Sequence, residues 1–475
     1  MASVLERAVR KAMVPVVTRL AEFNRQRLPS PDTNPFYNGL HKPLESEQTF
    51  TNLMVTGTVP PELNGQYVRI GPNPFGKPEK GHHWFLGDGM VHGVKLQGGH
   101  VQWYRNRFIR SRHLAGRGGP EAAPGPRRNA NDTVNTNVLR IGGEIMALVE
   151  AGSFPVALGD DLETRAYSNL GGGLTGFYTA HPHEDPKTGE LHAICYEATN
   201  SEMLRHVVID KTGTVLRETP IPVRHGPSVH DCGLTDRFVL IFDLPMCFSM
   251  QALIAGETFP YRWKPDHRAR VGLLPREGAA DEIVWCEVDP AFVFHIGNSF
   301  DLADGRVALD VCVYETMHDG PMPGPYGKGR GLERWYLDPE TGAFSRETLD
   351  GRPQEFPRPD ERRFCSDYRY LWTVGIPETG NLDMTEGLPL LRHDLETGET
   401  VVRDFGENRV PGEFVFVPRS PDAPEGDGWV MGYVIDPARD ETTLEICDAL
   451  TLDTVAAVHI PQRIPPGFHG NWFPA

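Results

Sequence analysis

The chain has 475 residues, 39% of them apolar, and a formal net charge of −17. The apolar share suffices for a large core, while the excess of carboxylates excludes a protein that grips nucleic acid by neutralising phosphates. No stretch reaches the ~18 consecutive apolar residues of a membrane-spanning helix, and 50 glycines with 42 prolines, lacking any collagen-like period, call for many tight turns.

The first 34 residues form a segment of their own. Leu5, Val9, Met13, Val16, Leu20 and Phe23 recur at steps of three and four, and Arg7, Arg10, Lys11, Arg19, Arg25 and Arg27 outnumber Glu6 and Glu22. This spacing predicts a basic amphipathic helix with a kink or break at Pro15. Two roles fit it: packing on the body of the protein, or resting residues 1–28 on anionic lipid. The longest apolar run here, Ala12 to Val17, is interrupted by Pro15, unlike the core of a secretory signal.

From residue 35 to 475 the pattern becomes short strands joined by glycine turns. Val91–Leu96 and Val101–Tyr104 flank Gln97-Gly-Gly-His100, and Val138–Ile141 and Ile145–Val149 flank Gly142-Gly-Glu144, each reading as a hairpin. A D-x-(x)-T-G turn recurs at Asp185, Asp210, Asp338 and Asp394, where the aspartate can cap the turn. So many antiparallel units with scarcely a long helical pattern predict an all-β chain, a β-propeller rather than a sandwich. Seven blades would take about 63 residues each, above the compact repeat families, so insertions are expected. Residues 112–135 are one candidate. Residues 246–282 are another, with Met246, Phe248, Met250, Leu253, Ile254 and Phe259 in a short helical stretch that either packs locally or, over 246–260, faces lipid and an apolar substrate.

Seven cysteines are scattered, odd in number and never spaced as CxxC, the pattern of a reduced cytoplasmic chain. Among 18 histidines, four lie in or beside apolar strands: His181, His230, His295 and His469, the last in the terminal Phe468-His-Gly-Asn-Trp-Phe-Pro-Ala475. Separations of 49, 65 and 174 residues exclude a local zinc finger. They suit a propeller, whose inner strands converge on one axis where four imidazoles could hold Zn, Cu, Fe or Ni. Glu150, Glu355 and Glu413 sit in apolar runs where a charge needs a partner, and a metal-bound histidine needs an acceptor for its second N–H. Each glutamate could equally be a strand end in solvent.

Leu63-Asn-Gly-Gln-Tyr-Val-Arg-Ile-Gly-Pro-Asn-Pro74, Trp84-Phe-Leu-Gly-Asp-Gly-Met-Val-His92 and the terminal Phe468-His-Gly470 resemble, in order and spacing, the carotenoid cleavage oxygenase family. Its members include apocarotenoid oxygenases, stilbene-cleaving dioxygenases and the vertebrate retinoid isomerase. The resemblance implies a seven-bladed propeller, helical insertions capping one face, and a non-haem Fe(II) held by His181, His230, His295 and His469. Glu150 would stand behind His230, Glu355 behind His295 and Glu413 behind His469, with none behind His181. His183 could compete with His181, but Ala180-His-Pro182 matches the family pattern; His82, His83 and His92 read as structural.

Two departures bear on substrate. Asn298-Ser-Phe-Asp301 stands where many members have Asn-Ala-x-Glu. Stilbene-cleaving members place a lysine just before the first of the glutamates, to engage a phenol together with a tyrosine; here that position is Val149, and Tyr104 is the candidate tyrosine. A valine cannot bind a phenol but can line a tunnel for a polyene. The implied reaction is cleavage of a C=C bond of an apocarotenoid or carotenoid by O2 into two carbonyls, without NAD(P)H or flavin. A stilbene-cleaving dioxygenase is the alternative, and a non-catalytic ligand-binding propeller the alternative of another class.

Overall fold

The computed structural model describes residues 4–475 except 78, 129–131, 198–199, 319–324 and 379–383, with the backbone alone for residues 4–14. Seven antiparallel sheets follow one another along the chain as the blades of a propeller. Blade one is built on Gly65–Pro72, Gly89–Gln97 and His100–Phe108, and blade two on Asn137–Ile141, Glu144–Leu148, Val156–Leu158 and Thr164–Tyr167. Blade three runs from His183–Glu184 to Val215–Pro222, blade four from Cys232–Leu234 to Val284–Glu287, blade five from Phe292–Asp301 to Phe344–Asp350, and blade six from Gln354–Pro359 to Glu399–Arg403. Blade seven combines Val410–Pro411, Val415–Pro418, Gly428–Asp436, Glu441–Asp448 and Thr454–Ile460.

The central strands are near-continuous apolar runs. In Val307–Met317 and Gly428–Asp436 nearly every residue is buried, as in central strands covered by neighbouring blades on both faces. The turns are those expected. Gly142 and Gly143, with φ of +58° and +86°, close the blade-two hairpin in the left-handed region that glycine occupies without penalty. In the turn Asp338–Gly342, Asp338 Oδ1 accepts the N–H groups of Glu340 and Thr341.

The ring is closed twice by exchange between the chain's two ends. Gly470–Pro474 joins blade one on the inner side of Gly65–Pro72, with Arg69 facing Gly470, and Met54–Gly57 completes the outer edge of blade seven against Thr454–Ile460. Phe473 is buried in this closure, a burial worth about 1.5–3 kcal/mol.

Two expectations change. Of the kink or break predicted at Pro15, the break is absent: one helix, Val4–Arg25, continues through it, short of the single hydrogen bond that proline cannot donate. The excursion predicted over 246–282 ends earlier, because Arg270–Pro275 is the third strand of blade four, where Val271, Leu273 and Leu274 enter the core. What leaves the blade is a hairpin, Met246–Phe248 with Tyr261–Trp263, around a single helical turn, Met250–Ile254. Residues 112–135 likewise hold only the short helix Arg112–Gly116 among the described residues.

Candidate metal centre and its cavity

Every blade delivers one of the seven residues singled out above, from its innermost segment in all but blade two, where Glu150 lies two residues beyond the second strand, Glu144–Leu148. Blades three, four, five and one bring His181, His230, His295 and His469; blades two, six and seven bring Glu150, Glu355 and Glu413. His181 and His230 lie two residues ahead of the inner strands of their blades and His469 one residue ahead of Gly470–Pro474. His295 sits within Phe292–Asp301, where the pairing with Val307–Met317 slips between Val293 and Ile296, so the ring turns to the axis.

Ligand nitrogens of the four histidines all lie within 4.8 Å of one another. His295 Nε2 is 3.1 Å from His230 Nε2 and 3.2 Å from His469 Nε2. On the far side of the rings, His295 Nδ1 donates to Glu355 Oε2 at 2.6 Å, His469 Nδ1 donates to Glu413 Oε1 at 2.9 Å, and His230 Nδ1 donates to Glu150. Those bonds fix the tautomer: the protons sit on Nδ1, and the inward Nε2 atoms are lone pairs facing one another. The buried Nε2 of His181 has no hydrogen-bond partner among the described residues. Converging lone pairs in a buried site repel unless a cation joins them, so the donor set fits a metal. Four neutral imidazoles suit a transition metal rather than Mg²⁺ or Ca²⁺, which take oxygen ligands.

Burial sets the protonation of the metal-free site. It holds His469 down at about 4 against the pull of Glu413, and drives His181 well below the usual histidine value, with His230, His469 and His295 adding to the effect. His295 is raised: burial opposes this, but Glu355 prevails. Glu413 is buried too, which would raise its carboxyl, yet Arg358, His469 and the Gly470 N–H hold it at about 2.

A cavity of about 1470 Å³ opens over the centre, lined beside His230, His295 and His469 by Trp84, Phe85, Phe294, Phe356 and Phe468. Val149 and Glu150 are in its wall, as is Tyr196, whose hydroxyl bonds both Glu150 and Ser228 Oγ. The lining also includes Val17, Thr18 and Arg25 of the N-terminal helix with Met250 and Leu253 of the short helix.

Tyr104 does not belong here. It is fully buried in the core shared by blades one and seven, paired with Val94 across the sheet; its hydroxyl bonds His92 Nδ1 at 2.9 Å, and it lines no part of the cavity. His183 also turns away, bonding Asp231 Oδ1 at 2.6 Å and stacking on Phe364. His82 packs on Tyr37, and His83 Nδ1 accepts the Phe85 N–H; neither belongs to the four-histidine group. The sequence reading passed over Phe294, Phe356 and Tyr196. Phe356 carried a signal, since it adjoins Glu355; the other two are ordinary strand aromatics.

Fold and site together define a propeller with a buried four-histidine metal centre on its axis beneath an apolar cavity. Residues 41–474 match the family described as retinal pigment epithelial membrane protein, and the chain belongs to that family. It is 39% identical to the carotenoid cleavage oxygenase of Mycobacterium tuberculosis, over 93% of this chain and 98% of that one. Among solved structures it resembles the lignostilbene dioxygenase of Pseudomonas brassicacearum, with a TM-score of 0.83 and 27% identity over 94% of this chain and all of that one. It also resembles the cobalt-substituted apocarotenoid oxygenase of Synechocystis, with a TM-score of 0.80 and 25% identity over 94% of this chain and 99% of that one. The chain is a dioxygenase of the carotenoid oxygenase class.

Proposed function

We propose that His181, His230, His295 and His469 hold Fe(II) and that the enzyme cleaves one C=C bond of an apocarotenoid or carotenoid with O2, giving two carbonyl products. The observation that carries this reading is the convergence of those four nitrogens within 4.8 Å at the floor of an apolar cavity of about 1470 Å³. When bound, Fe(II) supplies open coordination positions and the electrons that engage O2. The chain does the rest. Glu150, Glu355 and Glu413 keep the imidazoles in the metal-binding tautomer, the aromatic wall excludes water, and the apolar cavity holds a polyene at the centre. Both oxygen atoms enter the products, one on each new carbonyl carbon, so no further reductant is required.

With Val149 in the cavity wall and Tyr104 outside it, neither position that pairs a lysine with a tyrosine in stilbene-cleaving relatives offers a phenol such a group here, which favours a polyene over a stilbene. A panel of carotenoids, apocarotenals and hydroxystilbenes, read by product mass, tests this. Aldehyde pairs from polyenes are the expected result, and turnover confined to stilbenes would contradict it.

The same reading places the cavity mouth against lipid. The N-terminal helix is tied to the excursion by Asn24 Nδ2 donating to the Ile254 carbonyl at 2.7 Å and Arg25 Nε to that of Gly256 at 3.0 Å. Its opposite side leaves Val16, Leu20 and Phe23 exposed at 55%, 42% and 56%, and Met250 of the short helix is exposed at 51%. Among the described residues no helix is long and apolar enough to cross a membrane, and the contact assigned to this helix is a peripheral one, on a chain whose seven buried cysteines are free, as in a reducing cytoplasm.

A further inference from the structure

The three glutamates behind the histidines are held in different ways. Glu150 is held by the hydroxyl of Tyr196. Glu355 is completely buried, its Oε2 accepting the N–H of Phe356 at 2.8 Å and its Oε1 without a partner among the described residues. Of the three, only Glu413 meets an arginine or lysine among the described residues, Arg358, which comes from the neighbouring blade.

Arg358 lies three residues beyond Glu355 on Gln354–Pro359. Between the two the pairing with Tyr370–Gly375 slips, and Phe356 takes a φ of +53°, a left-handed conformation that phenylalanine rarely adopts. Strained backbone of this kind persists where its surroundings over-determine it. The displaced Phe356 ring packs at 5.4 Å from both His295 and His469, and the guanidinium of Arg358 reaches across to blade seven and the closing strand. Its Nη1 donates to Glu413 Oε1 at 3.2 Å and to the Gly470 carbonyl at 3.3 Å, and its Nη2 donates to Asn471 Oδ1 and Glu361 Oε1. Glu413 completes the ring, taking His469 Nδ1 on Oε1 and the Gly470 N–H on Oε2 at 2.8 Å. One guanidinium thus joins the carboxylate behind the fourth histidine to the two residues that follow that histidine. The strand Gly470–Pro474 lies at the end of its sheet, paired only with Gly65–Pro72, so its other edge depends on side-chain contacts such as these.

We infer that Arg358 is a positioning residue for His469: its planar fork fixes the rotation of Glu413 and pins the closing strand, so that His469 is held towards the centre. The inference rests on the reading that the four histidines hold iron. It calls for arginine in particular, because a lysine ammonium supplies the charge without the rigid fork that serves acceptors on three segments.

The test compares wild type with Arg358→Lys and Arg358→Met. One readout is the rate at which Fe(II) passes from loaded protein to a colorimetric chelator; the other is hydrogen exchange at the Gly470 amide in metal-free protein, since that N–H is bonded directly to Glu413. Iron release is expected to rise about 10–100-fold in Arg358→Met, the usual effect of losing an outer partner of a ligand, and by less in Arg358→Lys. Gly470 exchange should quicken in both, while amides of Gly428–Asp436 keep their wild-type protection. Unchanged Gly470 exchange overturns the inference, even with faster iron release, since Arg358 would then act through charge alone. Should Arg358→Met fail to fold, Arg358→Lys carries both readouts. Wild-type protein that takes up no iron would overturn the functional reading instead, and exchange in the metal-free variants would still decide the role of Arg358.

Discussion

His295 Nε2 and His469 Nε2 lie 3.2 Å apart although 174 residues separate them in the chain. Each ring has its proton committed to a carboxylate on the far side, Glu355 for one and Glu413 for the other, so two lone pairs point at each other in a buried space. Without a cation this arrangement is repulsive. The substitution His469→Ala is therefore expected to remove iron and activity together, measured as iron per chain by elemental analysis and as turnover. Full iron occupancy in that variant would show that the closing histidine is not a ligand.

Val149 is half-buried in the cavity wall next to Glu150. Replacing it by tryptophan puts a large ring into the space assigned to the polyene, and overpacking of this kind costs about 1–3 kcal/mol. Val149→Trp should lower kcat/KM for a long polyene by about tenfold or more, with iron content unchanged. An unaltered kcat/KM would place the substrate elsewhere in the cavity.

The exposed stripe Val16, Leu20 and Phe23 should mediate attachment to anionic vesicles, together with Arg19 and Arg27. Leu20→Glu with Phe23→Glu is expected to release the protein from such vesicles in a sedimentation assay while leaving iron content intact. Equal binding by the double variant would reduce the helix to its packing role against Met250–Ile254.

The metal-free protein should be acid-sensitive. His469 sits at about 4 in the folded state, below the ordinary histidine value, so the unfolded chain binds the proton first, and stability falls as pH drops from about 6.5 towards 4. His181 is lowered well below its ordinary value and acts in the same direction. Glu413, depressed to about 2, contributes stability that is present above its ordinary value of 4.5 and lost as pH falls through 2. His295 opposes the trend: it is raised, so its contribution is full below about 6.5 and lost as pH rises through its folded value. From His469 alone, moving from pH 7 to pH 5 costs about 2 kcal/mol. Denaturant unfolding at the two pH values measures the net change, and equal or greater stability at pH 5 would contradict this assignment of charges.

Much of this architecture was legible in the residues. Paired glycines between alternating strands and the repeated Asp-to-Gly turns are local signals, written where they act, and they mark hairpins directly. The four histidines were legible because a buried imidazole in an apolar strand is conspicuous and because the spacing of the motifs resembles a known family. Tyr104 went wrong for a different reason. Its strand alternates correctly, but which face looks to the cavity and which to blade seven depends on how the blades pack, and the pairing of Tyr104 with Val94 settles that only in three dimensions. Arg358 was equally hidden: its partners Glu413, Gly470 and Asn471 are 55, 112 and 113 residues away, and no local pattern announces them. The end of the excursion was misjudged because Arg270–Pro275 is apolar enough to suit either an insertion or a central strand.

The central claim is that one C=C bond is cut with both atoms of O2 retained. Turnover of an apocarotenal under ¹⁸O₂, with rapid reduction of the aldehyde products to stop exchange with water and mass analysis of both fragments, tests it most directly. One labelled oxygen is expected on the new carbonyl carbon of each fragment. Label in neither fragment, or in one alone, would contradict it.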